Sequence, residues 1–413
     1  MPKNFQTNLA KYAELAVRVG VNLQAGQRLV INGDLQTVEL VRLAAKHAYQ
    51  IGARLVDVLW DDSELLLTRF ENAPRDTLSE MPEGQLEGAL AYARAGDPVL
   101  TISSRDPNLL SRQDPELVAT YATSVGKHFQ PYIDLLMRDA FAWLVLAVPT
   151  TAWAARVFPD LEPVTAREKL WDAVFQVCRI YEPDPISAWR AHLENLARRV
   201  AALNAKQFSA LHFRGRDTDL HVGLPPHHVW VGGTSDTTQG VSFVANIPTE
   251  EVYTGVDRLR VDGFVKSTCP LSVRGTMIQQ FSLRFEQGRV THIEASNNLP
   301  TLEKYLDTDE GARFLGEVAL VPHNNPIART GILFQNALFD ENAASHLALG
   351  NAYPTSIENG GTMSAEELRA TGLNHSLVHL DFMIGSGEMN VDGVRADGSR
   401  EAVMRNGEWI FET

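Results

Sequence analysis

The sequence predicts two domains of different class. An α/β amino-terminal domain built on a mainly parallel sheet spans residues 1–205, and an α+β domain rich in antiparallel strands spans residues 206–413. Three observations predict this. A chain of 413 residues is about two domains long at roughly 100–200 residues each. Up to Asn204, short apolar runs alternate with helical patterns, the rhythm of a parallel sheet with helices packed on it. From Ser209 onward the apolar runs follow one another without intervening helices, as antiparallel strands do.

In order along the chain, Leu9, Tyr12, Ala13, Ala16 and Val19 fall on one helical face. Residues 28–31 are a short apolar strand closed by Asn32-Gly33-Asp34. Residues 36–50 place Val38, Val41, Leu43 and Ala45 at near-helical spacing, and Gly52 stops that helix. Residues 55–60, 99–102 and 143–148 read as buried strands, the last ending at Pro149. Residues 188–204, rich in Ala, Leu and Arg, form a helix, and the change of domain is placed just after it. Beyond it, residues 241–245, 282–285 and 290–294 are strands, with Gln287-Gly288 as the hairpin turn between the last two.

Composition excludes several classes of function. Hydrophobic residues at 44% and charged residues at 21% are an ordinary globular mix. A formal net charge of −14, with no basic run, argues against nucleic acid as a partner. Two cysteines, Cys178 and Cys269, exclude a disulfide-stapled scaffold and a thiolate zinc module. The longest apolar stretch, residues 140–149, is about half the roughly 20 residues a spanning helix needs, so no membrane partner is expected. With no secretory pattern at the start, the expectation is a soluble cytoplasmic protein. Neither G-x-G-x-x-G after the first strand nor a P-loop occurs, which leaves the first domain as scaffold or lid.

Chemistry concentrates in the second domain. His379 and Asp381 alternate with Leu380 and Phe382, so on a strand an imidazole and a carboxylate share one face about 7 Å apart. Such a pair either grips a metal ion or is a hydrogen-bonded pair on a solvated sheet face. His346 lies in residues 340–350, which read as a short helix capped at its front and ended by Gly350. Among apolar neighbours His346 is either a core residue or a ligand. Glu317 interrupts a buried strand over residues 314–321, where a carboxylate needs cations or strong donors. Glu250-Glu251 follow Asn246-Ile247-Pro248-Thr249, and an adjacent acidic pair is ordinarily solvent-facing. Four of the 12 histidines lie between residues 323 and 379. Imidazoles and carboxylates without thiolates suit zinc, cobalt, manganese or magnesium. A carboxylate-rich set suits two ions sharing a bridging carboxylate. H-E-x-x-H and G-x-S-x-G are both absent.

Residues 246–254, 316–321, 340–350 and 379–385, in this order and spacing, resemble the aminopeptidase T / aminopeptidase S family of bacterial metallopeptidases. The resemblance implies a cytoplasmic, homodimeric exopeptidase acting on short peptides, with two divalent ions per subunit held by the second domain. Zinc, cobalt and magnesium all fit the donor types. Carried over by position, Glu251, Glu317, His346, His379 and Asp381 are the implied ligands, with Glu317 the bridge. Tyr353 matches a family residue at the metal site, and Tyr253 stands where the family often has Phe. A hydroxide held between two cations would attack the peptide carbonyl, with Tyr353 donating to the developing oxyanion. Glu250 is a candidate general base or anchor for the substrate's α-ammonium. A non-peptidase amide or ester hydrolase would use the same ligands.

Overall fold

The computed structural model describes residues 4–104, 106, 109–273 and 276–410. The chain forms two compact units, Met1–His192 with Thr234–Pro248, and Leu193–Gly233 with Thr249–Thr413.

In the first unit, four strands pair in parallel: β1 (Arg28–Asp34), β2 (Leu55–Asp61), β3 (Val99–Ser103) and β4 (Trp143–Ala147), in the order β2-β1-β3-β4. Helix α1 (Phe5–Leu15) buries Leu9, Tyr12 and Ala13, and helix α2 (Val38–Gln50) buries Leu40, Val41 and Ala44. One expectation fails here. Residues 55–60 are not a buried strand: β2 is at the edge of the sheet, and Leu55, Leu59 and Trp60 are 46%, 41% and 46% exposed. An apolar run marks a strand but does not say how many neighbours cover it. The strand expected over residues 241–245 is likewise reduced to Ser242–Phe243. Residues 245–247 then complete the far side of β4, where Val145 donates to Ala245 O at 2.8 Å and Ile247 donates to Val145 O at 3.1 Å.

A long helix, α3 (Pro185–Lys206), carries the chain from one unit to the other. Trp189 donates its indole N–H to Cys178 O within the first unit, whereas Leu196 and Leu203 belong to the core of the second. The change of character placed by sequence near residue 205 therefore lies at the end of a helix whose residues from Leu193 already belong to the second unit.

The second unit contains an eight-stranded antiparallel sheet, and its hairpin at Gln287-Gly288 has φ of 49° and 82°, both positive as a two-residue type I′ turn requires. Beside it is a four-stranded antiparallel sheet of β5 (Val252–Gly255), β6 (Leu315–Leu320), β7 (His346–Gly350) and β8 (His379–Met383), in the order β8-β7-β6-β5. His346 thus begins a strand rather than sitting in a helix. The helix of this region is the four-residue Ala337–Asp340, capped by Asn336, with a 3₁₀ turn over Glu341–Ala343 after it. Ala and Leu are good helix formers, but residues 346–350 also alternate. Leu347 and Leu349 enter the core while His346 and Ala348 face the other way, and pairing on both edges decides for the strand.

One face of this small sheet is core, with Val252, Val318, Leu320, Leu347, Leu349, Leu380 and Phe382 in a single apolar cluster. The opposite face carries Glu317, His346, His379 and Asp381, and their cross-strand neighbours are small. Glu317 pairs with Gly255 and Ala348, Asp381 with Ala348, His379 with Gly350, and His346 with Ala319 on one side. Among the described residues no helix is long and apolar enough to cross a membrane.

Gly350 ends β7 at φ 106°, and a Cβ there would lie 2.0 Å from Val378 O. Gly350→Ala is expected to destabilise the fold by about 1–3 kcal/mol through this backbone strain. A urea titration checks it, and an unchanged midpoint would show that the Gly350–His379 pairing tolerates a side chain.

Candidate metal centre

Sheet geometry brings the sequence-selected residues together. Glu251 lies one residue before β5, Glu317 is the third residue of β6, His346 opens β7, and His379 and Asp381 occupy alternate positions on β8. His346 Nε2 lies 3.1 Å from Glu251 Oε2 and 3.7 Å from Glu317 Oε1. His379 Nε2 lies 3.9 Å from Glu317 Oε2 and 3.3 Å from Asp381 Oδ1. These residues form two trios able to hold a metal ion. One is Glu251, Glu317 and His346, all buried; the other is Glu317, His379 and Asp381, of which the last two are partly exposed. Glu317 belongs to both and turns one oxygen toward each imidazole. The exposed side of the second trio is where a substrate can approach.

Both imidazoles are oriented by backbone. His346 Nδ1 is 3.1 Å from Ala344 O, and His379 Nδ1 is 2.8 Å from Asn351 O. A carbonyl oxygen only accepts, so each Nδ1 carries a proton and donates it, leaving Nε2 aimed at the carboxylates. That is how neutral imidazoles are held as metal ligands.

The electrostatics call for cations. Burial raises the carboxyl of Glu317, with the charges of Asp381 and Glu251 adding to it against His346 and His379. Burial would lower both imidazoles, yet the surrounding carboxylates carry His346 well above its usual value and His379 up to about 10. Burial would raise Asp381, but His379 holds it below the ordinary carboxylate range. Among the described residues, these two imidazoles are the only cationic groups within ion-pair distance of Glu251, Glu317 and Asp381. Oxygen and nitrogen donors with surplus negative charge fit divalent metal ions.

Tyr353 lies just past β7, its ring 5.6 Å from that of His379 and 5.7 Å from that of Tyr253. Burial first, then the charges of Glu317 and Asp381, push its hydroxyl well above the usual value, so it remains a protonated donor at neutral pH. Glu250 is buried, not solvent-facing. Its backbone N–H donates to Asn342 Oδ1 at 2.8 Å, and its charge supports the buried guanidinium of Arg199. The carboxylate that meets the trios is Glu341, to which the sequence pattern assigns no role. Burial, then Asp381 and Glu251, push it well above the usual range. An Asp-Glu pair at a helix end ordinarily faces solvent, so nothing in the local pattern distinguishes Glu341.

A third trio, His212, Asp219 and His221, is less suited to an ion. Its two rings stack 3.8 Å apart at 14°, so their planes do not converge on one point. Arg400 donates to His212 Nδ1 at 3.0 Å, leaving Nε2–H to donate to Asp219 at 2.7 Å.

Comparison with known proteins agrees with this geometry. Residues 5–409 match the family described as thermophilic metalloprotease (M29). The chain is 46% identical to Aminopeptidase 2 of Geobacillus stearothermophilus over 408 residues, covering 99% of each. It is 44% identical to Aminopeptidase T of Thermus thermophilus over 406 residues, covering 98% of this chain and 99% of the other. The solved structure of wild-type AmpT from Thermus thermophilus superposes with a TM-score of 0.93 at 43% identity, covering 98% of this chain and all of the other.

The charge state of the cluster gives a prediction of its own. His346 and His379, raised by the surrounding carboxylates, hold imidazole protons at neutral pH that an ordinary imidazole has largely lost, and an entering cation must displace them. Adding zinc to chelator-stripped protein at pH 7 is expected to release protons, and apparent affinity to rise with pH through neutrality. Calorimetry in buffers of different ionisation enthalpy measures the release. Binding without it would mean that the groups are already bare.

Proposed function

The chain belongs to the thermophilic metalloprotease family (M29), a family of hydrolases, and from that premise we propose that it is a dimetal aminopeptidase removing N-terminal residues from peptides. The observation that carries the reading is the position of Glu317, which offers one oxygen to each of two ligand trios. One divalent ion would be held by Glu251, Glu317 and His346, the other by Glu317, His379 and Asp381. Zinc, cobalt and magnesium are all compatible with these donors. Bound there, two such ions supply a nucleophile from water at neutral pH and polarise the peptide carbonyl.

The chain's own residues account for the rest. Ala344 O and Asn351 O fix the imidazole tautomers, so His346 and His379 present Nε2 without reorganisation. Tyr353 O–H, kept protonated by its surroundings, donates to the carbonyl oxygen as it gains negative charge. The charge of Glu250 acts on Arg199, and on this reading Glu250 remains a candidate general base or anchor for the substrate's α-ammonium, with Glu341 a further carboxylate at the cluster. The reading extends to short peptides as substrates and to a homodimer in the cytoplasm, neither of which the metal centre itself requires.

Purified protein is expected to release N-terminal residues from di- and tripeptides. A chelator should abolish this, and zinc, cobalt or magnesium should restore it. Chelator-resistant cleavage would exclude the dimetal reading, and equal cleavage of N-acetylated substrates would favour a general amide hydrolase. Glu317→Gln is expected to lower metal content and to reduce kcat/KM by more than about 100-fold, beyond the usual effect of losing a group that only orients a ligand. Elemental analysis alongside circular dichroism checks it, since full metal content in a folded variant would remove Glu317 from the bridge.

A further inference from the structure

The second unit contains a cavity of about 330 Å³, and none of the residues lining it is a candidate metal ligand. The volume falls within the roughly 300–1,000 Å³ range of small-ligand pockets. Four segments build it. Arg258 comes from the turn after β5, and Asp309, Glu310 and Gly311 come from the start of the 3₁₀ turn before β6. Asn374, His375 and Leu377 lie on the segment leading into β8, and Arg369 lies on the short helix Ala365–Ala370. These walls are tied to one another. The Asn374 side-chain amide donates to Gly311 O at 2.8 Å and to Gly350 O at 2.7 Å. The backbone N–H of Arg258 donates to Gly372 O at 2.9 Å, just past the helix. A Cβ on Gly311 would lie 2.0 Å from His375 O, so the turn and the segment also touch directly.

The lining carries cations without carboxylate partners. The nearby arginines in sequence, Arg260 and Arg313, pair with Asp257 and Asp307. Among the described residues, no Asp or Glu lies within ion-pair distance of Arg258 or Arg369. The Arg258 guanidinium instead lies over the Phe314 ring, 5.4 Å from its centroid, and Arg289 approaches the same ring at 5.8 Å, also without a carboxylate. Three arginines thus gather at one place in a chain of net charge −14. Like charges held together repel, and an occupant of opposite sign relieves that repulsion. Asp309 is committed to its own loop, accepting from Ala312 N at 2.9 Å, Ser376 Oγ at 2.8 Å and Leu377 N at 2.6 Å. Glu310 is exposed to water. Arg369 donates to His375 Nδ1 at 3.4 Å, and a guanidinium only donates, so His375 keeps a proton on Nε2 as a further donor.

We propose that this cavity is a binding site for a small dianionic oxyanion, a phosphate group or a dicarboxylate, held by the guanidiniums of Arg258 and Arg369 with His375 Nε2–H as a neutral donor. Two planar forks from different segments suit an anion that offers several oxygens and two charges. The site goes beyond the aminopeptidase reading and does not depend on it. An occupant stabilises the folded chain by the free energy with which it binds. It also braces the segment Asn374–Leu377, which reaches His379 two residues later, so the anion steadies the start of the strand that carries His379 and Asp381.

Calorimetric titration of the metal-loaded full-length protein tests this, with inorganic phosphate in one arm and succinate in another, at ionic strength fixed by chloride. At least one of the two anions is expected to bind saturably with a Kd on the order of 1 mM or below. Tighter phosphate points to a phosphate-bearing ligand, and tighter succinate to a dicarboxylate. Arg369→Gln and Arg258→Gln should each weaken binding by about tenfold or more, the usual loss of a hydrogen bond to a charged group. Arg369 is exposed, so its replacement removes nothing from the core. Glu310→Gln should tighten binding by about twofold or more, because it removes a like charge, and a misfolded variant would not show that gain. Saturable binding of neither anion would overturn the site. So would binding that Arg369→Gln and Glu310→Gln both leave unchanged, the result expected if phosphate sat on the metal ions instead.

Discussion

The rest of the site depends on the burial of one carboxylate, Glu317, in a strand whose six residues are all buried. Removing a charge from water costs several kcal/mol per ion even after relaxation, and the cationic groups that offset it are few. No arginine or lysine reaches Glu317 among the described residues. Its partners are two imidazoles, each holding its Nδ1 proton on a backbone carbonyl. A group so placed is stable when it is protonated or when cations sit against it. The second state is the one the flanking geometry serves, since Gly255 and Ala348 beside Glu317, and Gly350 beside His379, leave room above the sheet.

The four-stranded sheet resolves the conflict between core and chemistry by the period of its strands. Along β7 and β8 every second residue enters the apolar core, which fixes register, because a slip of one residue would turn leucine out and histidine in. The same leucines and phenylalanine that stabilise the unit therefore aim the polar residues at one another. Ligand placement needs tolerances of a fraction of an ångström, and rigid strands achieve this where loops would not. Glu251, Tyr353 and Glu341 come from segments adjoining the strands, so the sheet supplies the frame and its margins complete the site.

The same physics decides how much of this was legible in the sequence. Period-2 alternation at His379 and Asp381, and a lone carboxylate in an apolar run at Glu317, are local signals that survive folding unchanged. His346 was legible as a residue but not as an element, because Ala and Leu serve helix and strand alike until the neighbouring strands decide. The short apolar run of β2 gave a strand without its exposure, which depends on how many neighbours the strand acquires. Glu341 was not legible at all. Its place at the cluster comes from being brought near Asp381 and Glu251 across the fold, and one sequence records no such distance. Glu250 shows the converse, an acidic residue beside a ligand in sequence whose field acts on Arg199.

Charge balance connects the pieces. Glu251, Glu317 and Asp381 bring three negative charges, and two divalent ions would overcompensate them by one. Glu341 restores neutrality, which lets the whole assembly stay in a partly buried setting without a large electrostatic penalty. With the ions in place the set would still turn two positive centres toward the partly exposed side of the second trio. That field would favour loss of a proton from water and the growth of negative charge on a carbonyl brought close to the Tyr353 hydroxyl.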